Sequence, residues 1–192
     1  MSDIINISLE SAKNRDLFFS QQVDQESILK LTEKIIEINN HDEYLIKLYL
    51  IHDLQYIPKP IKIYIDSYGG KVYQCFGLLS IIKNSKTPIH TIVTGCAMSC
   101  GFMILICGHR RFAHKLSTPL YHQVSSKVSG KLKDIEIDFI EAKRLQKIIE
   151  DLTLEYTKIT KEKLKQIYET KTDWYMSSSQ ALKLGVVDEI LN

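Results

Sequence analysis

The chain has 192 residues, and its 25 lysines and arginines nearly balance its 23 aspartates and glutamates, leaving a formal net charge of +2. This balance argues against a protein whose main task is to coat nucleic-acid phosphates, and a hydrophobic content of 44% is too high for intrinsic disorder. A chain of this length can fold as one domain without disulfides or structural metals. We therefore expect a globular protein with no nucleic-acid partner.

Membrane and export signals are not evident in the sequence. Residues 1–14 lack the basic start and the apolar run of a signal peptide. The longest apolar stretch, residues 102–107, is far too short to span a bilayer. We expect a cytoplasmic protein with no membrane partner.

The four cysteines all fall in one central, apolar segment of the chain. They form no C-x-x-C pair, and no histidines accompany them at the spacing of metal ligands. The pattern favours small buried residues in a reducing compartment, so we expect no metal site. These residues are Cys75, Cys96, Cys100 and Cys107.

The first third of the chain predicts a helix, a strand and a second helix. Apolar residues recur at mostly helical spacing over 26–38, whereas the segment 43–60 is mixed in character. Residues 61–65 alternate between apolar and polar as in a strand, and a turn over 66–70 ends them. A helix pattern then covers 72–82.

The same alternation continues through the middle of the chain. A strand pattern over 89–94 is followed by an apolar, helix-compatible stretch over 98–107. Two short strand-like runs come next, at 111–112 and 120–121. Strands that alternate with helices predict an α/β fold with a largely parallel sheet and crossover helices.

Residues 131–159 predict one amphipathic helix of about 28 residues, roughly 40 Å long at 1.5 Å per residue. A second apolar row, formed by Ile137, Ile140 and Ile148, widens its apolar surface. A helix of this length projects from a domain of this size, and its exposed apolar side chains predict self-association. The alternative is a helix that packs wholly inside one subunit.

The C-terminal part of the chain predicts a short helix and a final strand. Ser177 with Gln180 three residues later fits a capping box at the start of this helix. Gly185 suits its C-terminal end. Residues 186–190 have the composition of a strand.

Two glycine-bearing turns, each between a strand and a helix, are the candidates for chemistry. One contains Gly69 and Gly70, and the other, residues 95–101 (GCAMSCG), places Ser99 directly before an apolar helix. Backbone N–H groups at a helix start are unpaired and can stabilise an oxyanion beside a nucleophile. A simple helix N-cap is the competing interpretation of Ser99. The sequence around Ser99 is not a G-x-S-x-G elbow, and neither turn matches a nucleotide-binding motif.

Six segments, in the right order, resemble the proteolytic subunit of the Clp protease, a family of self-compartmentalised serine peptidases. The first turn resembles the family's Ser-Pro-Gly-Gly turn, and the second resembles its nucleophile segment. The others resemble the family's first strand, its histidine segment, the start of its long handle helix and its C-terminal signature. The six segments are residues 15–23, 64–70, 95–101, 120–123, 130–137 and 173–188.

The resemblance covers residues 15–192 as a single peptidase domain, with residues 1–14 as a separate N-terminal segment. It implies the α/β fold of the Clp protease and crotonase type, a repeated β-β-α superhelix. The helix over 131–159 would project from this domain as the family's handle.

The resemblance also implies a serine triad. Ser99 would be the nucleophile, His122 the general base and later the general acid, and Asp173 the residue that orients the imidazole. The oxyanion donors would be the backbone N–H groups of Gly70 and Cys100.

This sequence departs from the family pattern at several positions. Tyr68 and Val124 each stand where the family has proline, and Cys100 stands where it has methionine. The stretch 39–60 is longer than its counterpart, near the surface where the family docks its ATPase. Two rival assignments remain: Cys100 as the nucleophile and His114 as the base.

For function, the resemblance implies an ATP-independent serine endopeptidase core that cleaves peptides or unfolded proteins through an acyl-enzyme. It implies a homo-oligomer of stacked heptameric rings and no cofactor, with ATP used only by a separate AAA+ unfoldase of the Clp type. The alternatives are a phage-type capsid-maturation protease of the same superfamily, an inactive ring-scaffold subunit and a crotonase-like acyl-CoA enzyme.

Overall fold

The computed structural model describes residues 14–192. The separate N-terminal segment expected over residues 1–14 therefore lies outside the described residues, apart from its last member. The strands are β1 Asp16–Phe19, β2 Ile61–Ser67, β3 Ile89–Met98, β4 Arg110–His114, β5 Thr118–Tyr121, β6 Trp174–Tyr175 and β7 Glu189–Leu191. The helices are α1 Gln25–Ile51, α2 Val72–Asn84, α3 Cys100–Ile106, α4 Leu132–Tyr156, α5 Lys161–Thr170 and α6 Ser178–Lys183.

The strands form one mainly parallel sheet in the order β1-β2-β3-β4-β7. Strand β5 branches from this path, pairing parallel with the end of β3 and antiparallel with β6. Helices connect successive parallel strands, as crossover connections require. The predicted α/β class with a largely parallel sheet is confirmed.

The core lies where this sheet meets α2 and α3. On β2, the apolar side chains of Ile61, Ile63 and Ile65 are buried and alternate with more exposed polar positions. Every residue of α3 is buried, so this short helix is apolar on all faces. A nucleophile placed at its start therefore sits on a rigid, fully packed support.

Three predicted boundaries were wrong. Helix α1 does not end near residue 38 but continues to Ile51, through the first half of the mixed segment. Strand β3 continues from the predicted end at Thr94 to Met98, because its last residues pair with β5. The final strand is Glu189–Leu191, while Val186 and Val187 before it are packed in the core.

Helix α4 is the long helix expected over 131–159, with bounds Leu132–Tyr156. Its buried residues all lie in its second half, from Leu145 onwards. Its first half leaves Ile137, Phe139 and Ile140 more than half exposed. The projecting part of this helix therefore carries apolar side chains that nothing within the chain covers.

A buried ion pair holds the second half of α1 against the rest of the domain. Arg15 and Asp42 are both buried, and their side chains form a two-point contact, with Arg15 Nη1 at 2.8 Å from Asp42 Oδ2. Thr87 Oγ1 donates to the same carboxylate at 2.6 Å, and the Tyr56 hydroxyl donates at 3.0 Å. Burial by itself would raise the pKa of Asp42, but the hydrogen bonds from Arg15 and Thr87 outweigh it and hold this pKa below its usual value.

We expect Asp42→Ala to lower the free energy of unfolding by about 3–5 kcal/mol, because it leaves the Arg15 guanidinium buried without its partner. Urea unfolding measures this, with Glu43→Ala, an exposed acid on the same helix, as the control. The pKa of Asp42 is lower in the folded state than in the unfolded state, where it is near 3.9. The contribution of Asp42 to the free energy of unfolding is therefore complete above that pH and is lost as the pH falls below it. A variant as stable as the wild type at pH 7 would contradict this prediction.

Candidate active site

Strand register brings the three predicted triad residues to one end of the sheet. Parallel pairing of β3 with β5 sets Met98 opposite Leu120, immediately before Ser99 and close to His122. Antiparallel pairing of β5 with β6 sets Tyr121 opposite Trp174. The next pair outward in this register is His122 with Asp173, so residues far apart in sequence become neighbours.

Ser99 occupies a strained backbone conformation at the junction of β3 and α3, with φ 53° and ψ −118°. A non-glycine residue held in such a sparsely populated conformation costs about 1–3 kcal/mol, and such residues cluster at active sites. Although Ser99 stands at the N-cap position, its side chain makes no capping hydrogen bond. Helix capping therefore does not account for this serine.

The Gly69–Gly70 turn approaches Ser99 so closely that no side chain fits between them. A Cβ atom at Gly69 would lie 2.8 Å from Ser99 Cβ and 2.6 Å from the carbonyl oxygen of Met98. A Cβ atom at Gly70 would lie 2.3 Å from the carbonyl oxygen of Val23. Both glycines have positive φ, of 97° and 151°, where side chains are strained.

The two predicted oxyanion donors are free to bind a ligand. The N–H groups of Gly70 and Cys100 donate no hydrogen bond to any group within residues 14–192. The neighbouring N–H of Lys71 donates to Val23 O, and that of Ser99 donates to Leu120 O. The neighbouring hydrogen bonds thus fix the turn, while the N–H groups of Gly70 and Cys100 can still donate hydrogen bonds to a negatively charged oxygen.

His122 and Asp173 lie in contact. His122 Nδ1 is 3.6 Å from Asp173 Oδ1, and the two side chains are 26% and 59% exposed. In the described part of the chain no hydrogen bond joins Ser99 to His122, although both line the same groove. Catalytic hydrogen bonds are often long in unliganded enzymes and shorten in the substrate complex.

An open groove and a narrow cavity meet at Ser99. The groove, of about 630 Å³, is lined by the glycine turn, Ser99, His122 and polar residues that include Gln21 and Ser125. The cavity, of about 50 Å³, is lined by Ser99, His122 and a mixture of apolar and polar side chains. Sequence patterns did not assign three of its apolar wall residues to the site, because they come from three separate helices: Val72, Met103 and Ile149.

The two rival assignments find less support in the geometry. The Cys100 thiol is 2% exposed and points at the carbonyl oxygen of Gly70, at 3.3 Å. His114 lies on β4, where it pairs with Leu191 of β7, and it lines neither the groove nor the cavity. Within residues 14–192 no cluster of three or more histidine, cysteine and acidic side chains could hold a metal ion.

The model of the Clp protease family matches residues 3–192 of this chain. The chain belongs to the Clp protease family. The match begins twelve residues before the motif resemblance, which starts at residue 15. Membership of this family identifies the chain as a serine peptidase of the Clp type. The predicted fold of that family is confirmed with it.

Three curated Clp protease relatives cover most of the chain. The ATP-dependent Clp protease proteolytic subunit of Deinococcus radiodurans is 31% identical over 145 residues, which is 74% of this chain and 70% of the relative. Proteolytic subunit 2 from Treponema pallidum is 28% identical over 94% of this chain and 89% of its own length. The subunit of Cyanophora paradoxa is 28% identical over 98% of this chain and 89% of its own.

None of the helices within residues 14–192 combines the length and the apolar character needed to cross a bilayer.

Proposed function

We propose that this chain is the peptidase subunit of a Clp-type protease and that Ser99, His122 and Asp173 are its catalytic triad. The observation that carries the assignment is the Ser99 turn. Its strained serine makes no capping hydrogen bond, and it lies beside the His122–Asp173 contact and two N–H groups that have no partner within residues 14–192.

The proposed reaction is peptide hydrolysis through an acyl-enzyme. Ser99 Oγ attacks the peptide carbonyl carbon while His122 accepts the hydroxyl proton, and the carbonyl oxygen becomes an oxyanion. His122 then gives the proton to the departing amine as the carbon–nitrogen bond breaks. Water, deprotonated by His122, attacks the remaining ester and releases the peptide acid and Ser99.

The N–H groups of Gly70 and Cys100 would bind the oxyanion in both steps. Each belongs to a backbone segment fixed by other hydrogen bonds, so little reorganisation is needed when the charge develops. The narrow cavity beside Ser99 would receive a substrate side chain, and the open groove would receive the peptide backbone.

The exposed half of α4 supports a homo-oligomer of stacked heptameric rings, with the Ser99 groove facing an inner chamber. Its apolar side chains would be buried against a second ring. Long or folded substrates would then need a separate AAA+ Clp-type ATPase, and the curated relatives are named as subunits of ATP-dependent proteases.

The proposed chemistry requires no cofactor, since nucleophile, base, orienting acid and oxyanion donors all come from the chain. ATP would be used by the partner ATPase alone. We place the protein in the cytoplasm, and its four free, buried thiols fit such a reducing compartment.

The alternatives are not favoured. The curated relatives are named as Clp proteolytic subunits, not as capsid proteases or acyl-CoA enzymes. A ring-scaffold subunit without activity would not require a strained serine beside a histidine–aspartate pair.

Asp173→Asn tests the triad with little change in shape. We expect kcat for a fluorogenic peptide to fall by about 10²- to 10⁴-fold with KM nearly unchanged, because the amide no longer stabilises the charged imidazole. Asp151→Asn is the matched control, since Asp151 is similarly exposed on α4 and should keep wild-type kcat. Equal kcat values for Asp173→Asn and the wild type would remove Asp173 from the triad.

A further inference from the structure

Two thiols lie directly behind the proposed oxyanion hole. Cys100 begins α3, and Cys75 faces it from α2. The Cys100 thiol donates to the carbonyl oxygen of Gly70 at 3.3 Å, and the Cys75 thiol donates to the carbonyl oxygen of Cys100 at 3.5 Å. Both distances lie within the range of hydrogen bonds that involve sulfur.

The two carbonyls that receive these thiols belong to the residues that supply the oxyanion donors. The N–H and the carbonyl of one residue are joined through a single Cα atom, so fixing the carbonyl restricts the direction of the N–H. Restraint is needed most at Gly70, because glycine has no side chain to limit its backbone. The hydrogen bond from the Cys100 thiol to the carbonyl oxygen of Gly70 also joins the two backbone segments that form the oxyanion hole.

Burial makes these contacts persistent. The side chain of Cys75 is fully buried and that of Cys100 is 2% exposed, so water has little access to either thiol. The neighbouring Cys100 side chain and burial raise the pKa of Cys75, whereas the Cys75 side chain lowers the pKa of Cys100. A raised pKa keeps the Cys75 thiol protonated, so it remains a donor.

We propose that Cys75 and Cys100 are positioning residues that hold the backbone of the oxyanion hole through two thiol-to-carbonyl hydrogen bonds. The inference rests on the proposed function, because it assigns a task to side chains behind that same site. Neither thiol takes part in a covalent step. The consequence is that removing a thiol weakens transition-state binding more than substrate binding.

Steady-state kinetics and transition-state affinity together test this role. Hydrogen bonds of this kind are weak, so Cys100→Ala and Cys75→Ala should each lower kcat by about two- to fivefold with KM unchanged. A peptide boronate forms a tetrahedral adduct with the serine, and its inhibition constant should rise by the same factor. Cys100→Ser and Cys75→Ser keep an O–H donor and should retain more activity than the alanine variants.

Cys107→Ala is the matched control, because Cys107 is a buried cysteine of the same segment that donates no hydrogen bond to the hole. Thermal unfolding of every variant separates loss of stability from loss of positioning. The proposal is overturned if both alanine variants keep wild-type kcat and boronate affinity, or if Cys107→Ala loses as much as they do. An alanine variant that fails to fold is replaced by Cys75→Val or Cys100→Val, which fills more of the space but also lacks a donor, so the same comparison decides.

The results that would overturn the proposed peptidase function differ from those that would overturn the role of the two thiols alone. A folded wild-type protein that hydrolyses no peptide and binds no boronate would overturn the peptidase assignment and this inference together. An active wild type with unchanged thiol variants would overturn only the role of Cys75 and Cys100.

Discussion

Ser99→Ala should abolish peptide hydrolysis, with a loss in kcat of about 10⁶-fold, because the variant has no atom that can form the acyl-enzyme. The residual rate would come from the oxyanion hole and from substrate binding alone. A fluorophosphonate probe, which reacts covalently with activated serines, should label the wild type and not the variant. Mass spectrometry of the labelled peptide then identifies the modified residue directly.

Ser80→Ala provides the control, since Ser80 is an exposed serine of α2 that lines neither the groove nor the cavity. It should keep both peptidase activity and probe labelling, because His122 and Asp173 are not affected. Labelling of the Ser99→Ala variant by the probe would contradict the assignment of Ser99 as the nucleophile. Labelling at Cys100 in the wild type would favour the rival thiol nucleophile.

Ile137→Asp combined with Ile140→Asp should separate the two proposed rings and halve the native mass. Both side chains are more than 60% exposed on the projecting half of α4, so the change should not disturb the core of the subunit. At a ring-to-ring interface, however, each new carboxylate would be buried without a partner, which is strongly unfavourable. Light scattering should give a wild-type mass many times the 22.2 kDa of one chain.

Lys133→Asp is the control on the same helix, because Lys133 is 85% exposed in the single chain and sits at a polar position. It should leave the native mass unchanged. A monodisperse wild-type monomer would overturn the ring assembly. An unchanged mass for the double variant would show that α4 is not the contact between rings.

Elements with strong local patterns could be predicted from the sequence. Strand β2 alternates cleanly, and α4 keeps its apolar spacing over almost its whole length. The second half of α1 could not be predicted, because its apolar residues Leu50 and Ile51 are exposed and the charged Asp42 is buried along with Leu45. Only the distant partner Arg15 explains why that carboxylate is inside the protein.

The end of β3 shows the same limit. Gly95 and Cys96 have the composition of a turn, yet they continue the strand because β5 supplies pairing partners there. The sequence pattern consequently predicts Ser99 within a turn at the start of a helix, whereas it lies at a sharp junction between β3 and α3. Its positive φ could not be inferred from residue type, because serine seldom adopts it.

The sequence by itself determined the α/β class, the long projecting helix and, through family resemblance, which serine, histidine and aspartate to examine. These rest on local periodicity and on short motifs, which neighbouring residues carry. The tertiary structure alone decided the register that sets His122 beside Asp173, the unpaired donors at Gly70 and Cys100, and the thiols behind them. Those features depend on contacts between segments remote in sequence, and only packing of the whole domain specifies such contacts.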